Sequence, residues 1–308
     1  MRGPAFTVGS IELQDGRRLG FTELGDPAGL PVLYLHGAIG TPLRAEPALI
    51  DVVERLRLRW IGIERPGFGA SCRAPGRTMR TFAYDVAEFA DQLALEPLVV
   101  VGVSAGGPYA LACGHELPHR VAAIGVCSSL SPLCAPHEAP GMAARLRLPL
   151  RVLHAAPGPG TAVLKLASPA LRRFRNGGVS GPVEDYLLTC RPWGFDPRDV
   201  RVPVHLWHGT QDGIVPAEHA WQLAAALPHC TASFAPDEGH FFFRRRVNEI
   251  IGRLVQEARS ADLADRDLAP ARERPAAVPP GDRRLVRKAR DRPAEPGDAP
   301  EGGLERPL

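Results

Sequence analysis

The stretch Leu98-Val99-Val100-Val101 is an unbroken run of large aliphatic residues with no polar alternation. Such a run suits a strand covered on both faces, the situation of an inner strand in a parallel sheet. It leads directly into Gly102-Val103-Ser104-Ala105-Gly106-Gly107, and then into Pro108-Tyr109-Ala110-Leu111-Ala112, which reads as the opening of a helix. Proline fits the first turn of a helix, where its missing N–H costs nothing. The serine therefore stands at the apex of a sharp strand-to-helix turn, between glycines that leave room for it. Taken alone, this stretch is also compatible with a glycine-rich turn whose serine caps a helix.

The neighbouring chain supplies matching units. A hairpin with an Asp15-Gly16 turn opens the sheet. The short apolar strand 31–35 follows and ends at His36-Gly37-Ala38-Ile39-Gly40. A helix is predicted over 47–55, then a strand at 60–63 that breaks at Glu64-Arg65-Pro66-Gly67-Phe68-Gly69. The spacing of Phe82, Val86, Phe89, Ala90 and Leu93 predicts a helix over 81–95. After the serine turn, 121–127 is another continuous apolar strand. This alternation predicts an α/β fold with a mostly parallel sheet of eight strands and helices on both faces.

From Leu130 to Pro197 the rhythm fails. Helical fragments at 142–150 and 162–174 are broken by Pro157-Gly158-Pro159-Gly160 and Asn176-Gly177-Gly178, and no strand candidate extends the sheet. The segment 130–197 is therefore expected to be a helical cap, with 1–129 and 198–258 as the core. Strand 202–207, helix 217–227, strand 231–234 and a last helix near 242–258 complete that core. Beyond Arg259, prolines, arginines and acids interleave with few large aliphatics. Residues 259–308 are accordingly expected to be disordered and dispensable for the chemistry.

Composition narrows the class of function. With 44% hydrophobic residues in 308, the chain can bury a full core, and a net charge of +3 gives no argument for a nucleic-acid partner. No signal-peptide core and no run of about 18 apolar residues is present, so a cytoplasmic protein without a membrane span is expected. Cys72, Cys113, Cys127, Cys134, Cys190 and Cys230 are scattered and read as free thiols rather than metal ligands. No metal or other cofactor is expected. The oligomeric state cannot be read from the sequence.

A serine becomes a nucleophile only with a base, an acid that orients the base, and donors for the developing oxyanion. Residues just after parallel strands meet at one edge of a sheet although distant in sequence. Ser104, Asp212 and His240 all occupy such positions. His205 lies inside a predicted strand and His208 in a turn before Asp212, so neither is chosen as the base. Asp237 and Glu238 lie too close to His240 to reach its far ring nitrogen, and Asp196 and Asp199 precede their strand. The backbone N–H of Ala105 is one expected oxyanion donor. The second comes from the loop after strand 31–35, with Ala38 preferred and Ile39 the alternative. His36 is expected to shape that loop, and with Gly37 to flank the substrate. Trp193, Phe195, Leu146, Leu148 and Leu150 are read either as pocket lining or as ordinary core.

Five ordered motifs carry a resemblance: H-G-A-I-G at 36–40, R-P-G-F-G-A-S at 65–71, G-V-S-A-G-G at 102–107, H-G-T-Q-D-G-I-V-P at 208–216 and E-G-H-F at 238–241. Together they resemble the α/β-hydrolase fold superfamily, and more closely its small capped bacterial serine hydrolases. The resemblance covers about residues 10–258 and implies a Ser104, His240 and Asp212 triad acting on a small-molecule substrate, a carboxylic ester foremost. An acyltransferase, an amide or C–C bond hydrolase, and a ligand receptor without catalysis are the alternatives. Glu64 departs from the aspartate that relatives usually carry before R-P-G.

Overall fold

The computed structural model describes residues 6–38, 47–132, 141–167 and 180–268. Among these, eight strands form one sheet: β1 (Thr7–Glu12), β2 (Arg18–Gly25), β3 (Leu30–Leu35), β4 (Leu58–Ile63), β5 (Leu98–Val103), β6 (Val121–Cys127), β7 (Val204–Gly209) and β8 (Cys230–Ala235). Their order is β1-β2-β4-β3-β5-β6-β7-β8. Only β2 runs against its neighbours; every pairing from β4 to β8 is parallel. The fold is thus the mostly parallel, eight-stranded α/β sheet that the alternating pattern predicts.

Register delivers the strand ends to one edge. Leu35 pairs with Gly102, Val103 with Cys127, and Cys127 with Trp207. His36, Ser104 and Ser128 therefore leave the sheet side by side.

The valine run is buried on both faces because helices cover both. Leu98 and Val100 pack into a cluster with α2 (Met79–Leu93) and α3 (Gly107–Glu116) through Phe82, Val86, Phe89, Tyr109 and Leu111. Val99 and Val101 face the opposite cluster, built by Val52 and Val53 of α1 (Pro47–Arg55) and by Ile250, Ile251 and Leu254 of α8 (Phe243–Leu268). Each such side chain contributes about 1.5–3 kcal/mol on full burial. Helix α7 (Ala217–Ala226) adds Ala220 and Leu223 to the first cluster.

Between β6 and β7 the described residues form three α-helices and no strand: α4 (Ala144–Ala155), α5 (Pro157–Ala167) and α6 (Ser180–Thr189). The boundaries differ from the expected fragments at 142–150 and 162–174, and residues 168–179 lie outside the described set. Pro157-Gly158-Pro159-Gly160, read as a break, instead opens α5. The physical reason is positional: the first amides of a helix have no intrahelical acceptor, so two prolines there forfeit no bond.

Helix α8 continues to Leu268, ten residues past the end expected at 258. Extending an existing helix costs less than nucleating one, so a polar sequence can still prolong it. The remaining stretch 269–308 of the expected tail lies outside the described residues.

Candidate active site

Ser104 leaves β5 with φ +56°, the left-handed region that residues with a Cβ seldom occupy. A 3-10 turn over Ser104–Gly106 then runs straight into α3. A Cβ at Gly102 would collide with the carbonyl oxygen of Gly106, and one at Gly106 with that of Leu35. Strand and turn approach so closely that only glycine fits at either place. Holding a serine at positive φ costs on the order of 1–3 kcal/mol, sustained by the packed strand and helix around it. The amide of buried Ala105 lies in the first turn, where intrahelical acceptors are missing and the helix presents its positive end.

The loops after β7 and β8 bring two further groups together. Oδ2 of Asp212 accepts a hydrogen bond of 2.7 Å from Nδ1 of His240. Its Oδ1 accepts from the amides of Ile214 and Val215, each at 2.9 Å. The carboxylate side chain is wholly buried, and three charge-assisted bonds hold it. With its Nδ1–H committed to Asp212, the imidazole keeps Nε2 as the free base.

The loop carrying His240 is anchored along its length. The carbonyl of Glu238 accepts from the amide of Gln211 at 3.0 Å, and Asp237 accepts from the Gln211 side chain at 2.8 Å. The Glu238 carboxylate pairs with Arg245, so neither acid is spent on the ring. The Ser128 hydroxyl donates to the His240 carbonyl at 3.1 Å. Because Ser128 follows β6, the immediate neighbour of β5, this bond draws the β8 loop back across β7 and β6 toward Ser104. Ser104 and His240 are not hydrogen-bonded to each other in this structure.

His208 lies at the end of β7 with Nε2 3.5 Å from Asp212 Oδ2. Its Nε2–H donates to the Val215 carbonyl at 2.8 Å. Burial lowers its pKa, so a neutral ring backs the carboxylate. Sequence gave it no separate signal beyond standing four residues before Asp212.

On the other side of Ser104 lies the loop after β3. A Cβ built on Gly37 would stand 3.3 Å from Ser104 Cβ and 3.8 Å from its Oγ, so Gly37 backbone lies directly against Ser104. Nδ1–H of His36 donates to the Gly37 carbonyl at 2.8 Å. His36 is fully buried, edge-on to Phe68 at 4.6 Å between ring centres. Burial, with the Arg65 guanidinium beside it, keeps the imidazole well below its ordinary pKa and hence neutral. That placement suits shaping the loop rather than touching a substrate. Ala38 is partly exposed at the end of this loop, and Ile39 lies outside the described residues.

Other expectations resolve by burial. Trp193 packs in the core with Phe195 beside it at 5.9 Å, which assigns both to the core rather than to a pocket. Leu148 of α4 and Phe241, next to His240, are the exposed large side chains nearest these expectations, at 68% and 62%. The carboxyl of Glu64 accepts from the Ala70 amide at 2.7 Å and is raised in pKa by burial, so the turn 65–71 is structural. Cys72, Cys113, Cys127, Cys190 and Cys230 are free, and Cys134 lies outside the described residues. Among the described residues no cluster of three His, Cys, Asp or Glu could hold a metal ion, and no helix is long and apolar enough to cross a membrane.

A family model described as alpha/beta hydrolase fold matches residues 31–158. The chain is 26% identical over 254 residues to the dihydrolipoyllysine-residue acetyltransferase component of the acetoin cleaving system of Pseudomonas putida, covering 78% of this chain and 66% of that protein. It is 32% identical over 130 residues to a non-heme chloroperoxidase of Streptomyces lividans, covering 41% of this chain and 46% of that one. It spans less than two thirds of either relative. Among solved structures it is similar to an esterase from Exiguobacterium antarcticum, with a TM-score of 0.59, 20% identity, and coverage of 81% of this chain and 100% of that one.

Proposed function

We propose that this chain, with its α/β-hydrolase fold and a matching family model over residues 31–158, is a serine hydrolase cleaving a small carboxylic ester. The observation that carries the reading is the Asp212–His240 pair, delivered by the loops after β7 and β8 to the sheet edge where Ser104 stands on its strained turn. Ser104 Oγ attacks the acyl carbonyl while Nε2 of His240 takes the hydroxyl proton. Asp212 holds the required tautomer and stabilises the imidazolium that forms. The amides of Ala105 and Ala38 receive the oxyanion. His240 then returns its proton to the leaving alcohol, and water deprotonated by the same ring releases the acid. General-base catalysis of this kind contributes about 10²–10⁴-fold, and each oxyanion donor about 10²–10³-fold.

The helical insertion between β6 and β7 is the cap over this edge in the same reading. Exposed Phe241, 5.2 Å from the His240 ring, and exposed Leu148 support a preference for apolar ester groups.

A fluorophosphonate probe and a panel of p-nitrophenyl esters test the assignment. The expected result is covalent labelling and turnover, with Ser104→Ala losing both by about 10⁴-fold or more while its thermal midpoint stays close to the parent's. Labelling undiminished in Ser104→Ala, or a folded parent inert to probe and esters alike, contradicts it. Acyl transfer to an acceptor other than water is the second reading, favoured by the similarity to the acetyltransferase component. Added acceptor alcohols would then yield new esters in place of free acid.

A further inference from the structure

Arg65 and Asp185 form an ion pair whose two side chains are both entirely buried. Arg65 follows β4, whereas Asp185 sits on α6 of the insertion, 120 residues away. Nε and Nη2 of Arg65 both reach Oδ2 of Asp185, at 2.9 and 2.6 Å. Oδ1 of Asp185 accepts from Arg77 Nη2 at 2.6 Å and from the hydroxyl of Tyr109 at 2.8 Å. Tyr109 lies on α3, the helix that begins at the serine turn, and its ring stands 5.0 Å below the Arg65 guanidinium.

The remaining donors of Arg65 go to the loop beside Ser104. Nη1 donates to the carbonyl of His36, and Nη2 lies 3.4 Å from the carbonyl of Gly37, which also accepts from the His36 ring. In a trans peptide the N–H points opposite to the C=O. Fixing the carbonyls of His36 and Gly37 toward Arg65 therefore turns the amides of Gly37 and Ala38 away from it. Gly37 backbone lies against Ser104, on the side of the turn where these amides are free of Arg65.

The charges add to this orientation. Two guanidinium groups meet one carboxylate in a buried site, leaving an excess of one positive charge behind the two peptides. Peptide dipoles with their carbonyl ends drawn toward that charge turn their N–H ends to the opposite side. A buried guanidinium without Asp185 would lose the partner that offsets its desolvation and would fix neither carbonyl.

We propose that Asp185 of the insertion and Arg65 of the core are positioning residues that hold the His36-Gly37-Ala38 turn with its amides set for an oxyanion, so that docking of helix α6 completes the oxyanion hole. The inference rests on the serine hydrolase reading above. It deepens that reading by making the insertion a part of transition-state stabilisation as well as a cover. It also selects Ala38 as the second donor.

The test compares Asp185→Asn with the parent in the full chain, using p-nitrophenyl acetate turnover normalised to sites titrated by a fluorophosphonate. Labelling of the parent at Ser104 establishes the underlying reading separately. Asp185→Asn is expected to lower kcat per titrated site by 10- to 100-fold, with KM within two-fold. Its inhibition constant for a trifluoromethyl ketone, which forms a tetrahedral oxyanion on the serine, should weaken by a similar factor. A merely structural role would reduce the number of titratable sites and leave kcat per site unchanged. Tyr109→Phe keeps the ring and both arginines while removing one bond to Asp185, and covers the case in which Asp185→Asn does not fold. It is expected to lower kcat per site by three- to ten-fold with KM unchanged. Either variant, folded and with kcat per site within two-fold of the parent, overturns the proposal.

Discussion

At the scale of single residues, the site depends on where protons are held. Asp212 has both oxygens engaged, one by two backbone amides and the other by His240, so its side chain has one orientation available. Replacing it by asparagine keeps the shape but lets the amide donate to the ring and favour the wrong tautomer. Asp212→Asn is therefore expected to lower kcat by about 10⁴-fold with a nearly unchanged urea midpoint, measured by ester turnover and equilibrium denaturation. A loss below ten-fold would assign the orienting role elsewhere, with His208 the nearest group. The residues read as acid and base were legible because each stands just after a strand. His208, Arg65 and Asp185 were not, because burial and pairing made them significant and neither can be read from a residue type.

At the scale of elements, the turn after β5 packs backbone against the end of β3. Gly106 packs against the Leu35 carbonyl, so an added methyl group meets rigid backbone rather than a yielding side chain. Gly106→Ala is expected to cost about 3 kcal/mol or more of stability, read as a lowered urea midpoint. An unchanged midpoint would mean that β3 and the turn can separate without penalty. The elements of the sheet were legible because apolar runs and helical spacing repeat through it. The insertion was less so: α5 starts on a Pro-Gly pair that is locally a turn signal, and α6 carries a buried aspartate whose partners lie on distant elements. A local pattern cannot tell a proline at a helix start from one that ends a helix.

At the scale of the whole molecule, several buried histidines couple the fold to pH. Burial lowers the pKa of His36 and His208 and takes His219 to about 4; His219 Nδ1 accepts from the Ser131 amide at 3.1 Å. Between pH 6.5 and about 4 the unfolded chain binds protons at these positions that the native state refuses, so stability falls as pH drops through that window. Each site adds a slope of up to about 1.4 kcal/mol per pH unit. Glu64, with its pKa raised by burial, acts in the opposite sense, but as one group against three. Urea midpoints at pH 7.5, 6 and 5 should decline in that order, and His219→Gln should flatten the decline. A midpoint that rises on acidification would contradict it.

The sequence by itself determined the sheet, its parallel sense, the serine turn and the residues at the strand ends. Those features follow from backbone sterics and from apolar periodicity, which are local and repeat along the chain. The tertiary structure alone decided that His208 stands beside Asp212, that His36 is buried beneath its loop, and that Asp185 reaches 120 residues back to Arg65. Charge pairing in a buried site depends on distance in space and on exclusion of water, and neither quantity exists until the chain has closed on itself.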